Sequence, residues 1–112
     1  MGFFNSLFGG GAAGGRSEIV VTSSEVASHQ FAETKFREGY DSEEVVALLN
    51  RAVETLHAYE NGGVYDFEAL TAEEVVNVRF SQTKFRTGWD QDEVDNLLDD
   101  VTVTLRAFEQ QS

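Results

Sequence analysis

The sequence predicts an all-α fold. Two tandem helix–loop–helix repeats, each a short helix, a Gly-aromatic-Asp turn and a long helix, pack as a small helical bundle or coiled-coil-like pair. Three observations carry this expectation. Residues 22–60 laid on 71–109 match without a gap, with 18 identities in 39 positions. Four helix starts show the same capping signature. Both long helices place apolar residues at spacings of 3, 1, 3, 4 and 3, which lines one face of a helix. An exact offset of 49 residues marks a duplicated supersecondary unit, and such a unit cannot bury its apolar face alone.

The organisation is a glycine-rich leader over 1–21, a first repeat over 22–60, a linker over 61–70 and a second repeat over 71–112. In the leader, Phe3, Phe4, Leu7 and Phe8 share one side of a two-turn amphipathic segment. Gly9-Gly10-Gly11 ends that segment, and the run to Gly15 reads as a tether. Three Phe in eight residues suggest an interfacial membrane anchor that needs avidity from several copies. The alternatives are a disordered leader, or a hydrophobic tip that docks on its own domain or on a partner. Met-Gly-x-x-x-Ser also fits the short myristoylation pattern.

Thr22-Ser-Ser-Glu25 and Thr71-Ala-Glu-Glu74 read as capping boxes that open the short helices, about 22–31 and 71–80. Asp41-Ser-Glu-Glu44 and Asp90-Gln-Asp-Glu93 are the Asp-led equivalents that open the long ones, about 42–60 and 91–110. Each start is bracketed by a staple pair: Val21 with Val26, Leu70 with Val75, Tyr40 with Val45, and Trp89 with Val94. The expected core is the stripe Val45, Leu48, Leu49, Ala52, Leu56 and Tyr59 with its twin Val94, Leu97, Leu98, Val101, Leu105 and Phe108. Asn61-Gly62-Gly63 stops the first long helix. A 19-residue helix spans about 28 Å, a distance the ten-residue link can return at about 3.3 Å per residue. Parallel pairing of the repeats is thus feasible, while antiparallel pairing strains the link less.

Between short and long helix lies the loop 32–40, echoed at 81–89. Gly39 and Gly88 serve either a positive φ or a close backbone approach. Lys35, Arg37, Lys84 and Arg86 are four of the chain's eight basic residues, so each loop sets an apolar ring, Phe36 or Phe85, between two cations. Two readings stand for each ring: packed beneath the glycine, or exposed at the loop tip. The cations pair with nearby carboxylates by default, and such surface pairs contribute about 0–1 kcal/mol.

Composition excludes several function classes. Net charge is −12, and the excess falls wholly on residues 22–112, which argues against nucleic-acid binding. Cysteine is absent, which removes disulfides and thiol catalysis and suits a cytoplasmic setting. No apolar run is long enough to span a bilayer, and no signal peptide is visible. His29 and His57 have Val78 and Arg106 as repeat counterparts, so they read as helix-face residues rather than ligands. Asp90, Asp92 and Glu93 are explained as caps and lack the spacing of a calcium loop. The glycine run is not followed by the Lys-Ser/Thr of a phosphate loop. The reading is therefore non-enzymatic, with no metal, no cofactor and no small-molecule substrate.

The text Phe-Arg-x-Gly-Tyr/Trp-Asp-x-x-Glu-Val-x-x-Leu-Leu resembles the DivIVA motif, and Leu70 to Phe80 resembles its lead-in helix. The resemblance covers nearly all of 21–109, twice over. The second copy is nearer the pattern, with Asp95 where the first has Val46. Two motifs in a short chain are similar to the short, repeated-motif DivIVA-like proteins of actinobacterial type. The resemblance implies a bacterial cytoplasmic scaffold of cell division or polar growth, with helical parallel pairing. It implies peripheral contact with the inner face of the membrane through Phe36, Arg37, Phe85 and Arg86. It implies a structural role for Gly39, Tyr40, Asp41, Glu44, Gly88, Trp89, Asp90 and Glu93. Two departures are plain: Glu38 or Thr87 separates Phe-Arg from the Gly, and the long coiled coil of the family does not follow. The expected partners are an unidentified protein, a further copy of the chain or a membrane surface. The competing expectation is a soluble acidic helical adaptor that binds a basic partner without touching lipid.

Overall fold

A computed structural model of the protein describes residues 18–111. The N-terminal segment with Phe3, Phe4, Leu7 and Phe8 lies outside the described residues. In chain order the elements are α1 (Ser23–Ser28), β1 (Glu33–Thr34), β2 (Gly39–Tyr40), α2 (Ser42–Glu60), α3 (Ala72–Asn77), β3 (Gln82–Thr83), β4 (Gly88–Trp89) and α4 (Gln91–Gln111).

The all-α expectation is corrected. Four short strands join in one antiparallel sheet of order β1-β4-β2-β3, so the fold is a small mix of helix and sheet rather than a pure helical bundle. The loops expected to be irregular are the strands. Each repeat lends its first strand to the other: β1 pairs β4, with Glu33 opposite Trp89, and β3 pairs β2, with Gln82 opposite Tyr40. The central strands meet at Tyr40 and Trp89. The physical reason is that backbone crossing between two repeats must satisfy its N–H and C=O groups. Here it does so across the crossing. Two flanking bonds extend the ladder, from the Asp41 amide to the Ser81 carbonyl and from the Asp90 amide to the Ala32 carbonyl, each 2.9 Å.

Helix starts follow from local chemistry. Thr22 and Thr71 make reciprocal capping boxes: each hydroxyl accepts the amide of Glu25 or Glu74 at 3.1 Å, and each carboxylate takes the threonine amide at 3.0 Å. Such a cap is worth about 1 kcal/mol. The short helices end at Ser28 and Asn77, earlier than the Phe31 and Phe80 expected, because His29 and Val78 turn extended to reach the sheet. At the end of α2, the Gly63 amide reaches the Ala58 carbonyl at 2.8 Å and the Gly62 amide reaches Tyr59 at 3.3 Å. Gly62 has φ 110°. This is a Schellman stop with glycine in the left-handed position.

The long helices run parallel. Their first turns adjoin at the Tyr40–Trp89 pair, and their far ends meet where Tyr59 and Phe108 stack at 4.8 Å and 3°. Of the two arrangements the sequence left open, the parallel one is found, and the expectation that antiparallel packing strains the link less does not apply. It assumed that the link had to run back the length of a helix. The short helix and the extended residues behind it make that return instead, at about 9 Å for six helical residues and about 20 Å for residues 29–34. The link only crosses between the far ends, where the Ala72 amide is held by Glu109 at 2.9 Å and the Ser23 amide by Glu60 at 2.7 Å.

The core is the double stripe. Val45, Ala52, Leu56, Val94, Val101 and Leu105 are fully buried, with Val21, Val26, Leu70 and Val75 closing its sides. Two buried threonines stitch the repeats together. Thr104 accepts the amides of Val20 and Val21 at 3.0 and 3.2 Å, and Thr55 accepts that of Leu70 at 2.9 Å.

Candidate interaction site at the crossed loops

Gly39 and Gly88 sit at the crossing because nothing larger fits. A Cβ on Gly39 would collide with the Thr34 hydroxyl and lie 2.8 Å from the Trp89 carbonyl oxygen. One on Gly88 would collide with the Thr83 hydroxyl and lie 3.0 Å from the Tyr40 carbonyl oxygen. Close approach, rather than a positive φ, is what these positions require. The Thr34 and Thr83 hydroxyls beneath are buried without a hydrogen-bond partner among the described residues.

Around the crossing, each motif residue acts on the opposite repeat. Asp41 caps α2 through the amides of Glu43 and Glu44 at 2.9 and 3.3 Å. Its other oxygen accepts from Arg86 at 3.2 Å. Asp90 caps α4 through Glu93 at 3.0 Å and accepts from Arg37 at 2.7 Å. The guanidinium in each pair holds its aspartate below the usual carboxylate range. Glu44 and Glu93 do not reach back to close capping boxes, as the sequence suggested. Glu44 grips the Ser81 amide and hydroxyl at 2.6 and 2.8 Å, and Glu93 grips the Ala32 amide at 2.7 Å. Tyr40 and Trp89 flank the sheet, with Phe80 5.2 Å from Tyr40 and Phe31 5.0 Å from Trp89. The Tyr40 hydroxyl donates to Asp95 at 3.0 Å. Burial first, and then this bond, push the Tyr40 pKa up to about 12.

The tips stand apart from this clasp. Phe36 is 77% exposed and Phe85 74%, so neither ring packs beneath its glycine. Phe85 has φ 70°, a left-handed conformation uncommon for a bulky residue, and the Lys84 ammonium lies 5.7 Å from its ring centre. Arg37 and Arg86 pair with the aspartates yet stay 65% and 60% exposed. An operation that exchanges antiparallel neighbours in one sheet is a twofold normal to that sheet. It carries one tip onto the other without changing face, so the two Phe lie on the same side of the molecule.

No group of three His, Cys, Asp or Glu that could hold a metal occurs among the described residues. Sequence reasoning missed the roles of Thr55 and Thr104, which tie each long helix to the lead-in of the other repeat, and of Glu60 and Glu109, which hold the start of the short helix in their own repeat. The available signal was their identity between repeats at positions where a purely apolar stripe would not ask for them. No described helix is long and apolar enough to cross a membrane. Compared with known proteins, the chain matches no family model, no curated protein and no solved structure significantly.

Proposed function

We propose that the chain is a non-enzymatic, DivIVA-like scaffold of bacterial cell division or polar growth, which meets the inner face of the membrane through its paired loop tips. One observation carries the reading. Nearly every identity between the repeats serves the core, a cap or the clasp, but Lys35-Phe36 and Lys84-Phe85 serve none of these. Two exposed rings on one side, each beside cations, form an amphipathic contact suited to a lipid interface. Burying a Phe fully is worth about 1.5–3 kcal/mol, so two rings alone hold at the millimolar level, near −4 kcal/mol. The acidic body opposes anionic lipid, so stable residence requires arrays of the chain and help from Phe3, Phe4, Leu7 and Phe8.

Liposome sedimentation tests this. Phe36→Ser with Phe85→Ser is expected to abolish pelleting while leaving the thermal melt unchanged, since both rings are outside the core. Deleting residues 2–8 from the otherwise intact chain is expected to weaken pelleting in part. Undiminished pelleting of the double variant sinks the tip reading, and failure of the intact chain to pellet favours the soluble acidic adaptor.

A further inference from the structure

The repeats are near copies, so a difference between equivalent places is informative. A cleft runs between the short helix of each repeat and the long helix of the other. Between α3 and α2 the cleft measures about 430 Å³ and contains Arg51, whose guanidinium bonds Glu74 at 3.4 Å. Between α1 and α4 the cleft measures about 800 Å³. There Glu25 stands where Glu74 stands in the twin, and Asp100 stands in place of Arg51. The built-in cation of one cleft is a second acid in the other.

Among the described residues, no Lys or Arg pairs with that second acid. Burial, then Asp99 and Glu25, push the Asp100 carboxyl up, and only His29 acts in the other direction. The cleft floor is apolar, formed by the buried Val21 and Leu97. An acid pair above an apolar floor matches a side chain with an aliphatic stem and a cationic head. The twin shows that this geometry seats a guanidinium, whose planar fork also meets two carboxylates better than an ammonium does.

We propose that the α1–α4 cleft receives an arginine side chain from a basic segment of a partner protein, seated between Glu25 and Asp100 where the twin cleft carries Arg51. This stands whether or not the loop tips meet a membrane. A pair with exposed carboxylates contributes about 0–1 kcal/mol, so most of the affinity comes from the apolar residues beside the arginine and from the long reach of the acidic field.

The test is an NMR titration of the full chain with acetyl-Leu-Arg-Leu-amide at low salt, with the neutral citrulline peptide as control. Expected are saturable shifts at the amides of Glu25, Ser28, Asn96 and Asp100, with none at Arg51 and Asn77. Asp100→Arg, which copies the twin, should weaken binding about tenfold or more, a loss of about 1.4 kcal/mol. Arg51→Asp should create a second binding cleft beside Glu74, and this variant decides the matter if Asp100→Arg does not fold. The proposal is overturned by equal shifts in both clefts, by no shift at all, or by no gain in Arg51→Asp. It is also overturned if binding emerges only in Arg16→Ala, since the chain's own arginine would then be the occupant.

Discussion

At the scale of single residues, the crossing decides what each position tolerates. Gly88→Ala places a methyl against the Thr83 hydroxyl and 3.0 Å from the Tyr40 carbonyl. Overpacking of this kind costs about 1–3 kcal/mol. A urea midpoint should report that loss. Adding Thr83→Ala should restore only part of it, because the contact with the carbonyl persists. Full tolerance of Gly88→Ala would mean that the strands do not approach so closely. The glycines illustrate what was legible. Their importance showed in the sequence, because both repeats place one just before the staple aromatic. The reason was hidden, because the atoms that forbid a side chain come from the same loop five residues back and from the other repeat.

At the scale of elements, the division between legible and hidden follows sequence distance. The four helix starts coincide with Thr22, Asp41, Thr71 and Asp90 because a cap is settled within four residues. The sheet left no such trace. Its strands have two residues each, too few to show alternation, and every partner is about fifty positions away. Glu44 and Glu93 misled for the same reason: their spacing suits a capping box, but a nearer demand across the crossing takes them. The charge pattern on these helix ends predicts how stability varies with pH. Asp41 and Asp90 have depressed folded pKa values, so their contribution is complete above the unfolded carboxylate value and is lost as pH falls through the folded one. Asp95, Asp99 and Asp100 are raised, chiefly by burial. Their folded forms hold protons more tightly, so stability is gained as pH falls from neutral through those raised values. The urea midpoint should rise as pH falls from neutral through the raised aspartate values, and then fall as the arginine pairs are lost. A steady decline from neutrality would show that the helix aspartates carry no such penalty.

At the scale of the whole molecule, the chain is a dimer written into one polypeptide. The bonds of the crossing come in matched pairs: Arg37 to Asp90 and Arg86 to Asp41, Glu93 to Ala32 and Glu44 to Ser81. Either repeat alone owns both halves of each such pair but cannot close them on itself, because strand, clamp and arginine all point outward to a second copy. It also leaves one side of its apolar stripe bare, and a two-helix unit does not survive that loss. A polypeptide of residues 18–63 should therefore be unfolded when dilute and should assemble as a homodimer when concentrated, with Tyr40 facing Tyr40 at the centre. Residues 64–112 should dimerise more weakly. Their self-pairing puts Trp89 where Tyr40 stands, and so removes the Tyr40 hydroxyl that Asp95 accepts from. Light scattering would report twice the single-repeat mass, and melting would shift with concentration by mass action, more steeply than for the intact chain. A single repeat that melts cooperatively as a monomer at all concentrations would mean that the crossed sheet and the shared core are not what hold each half together.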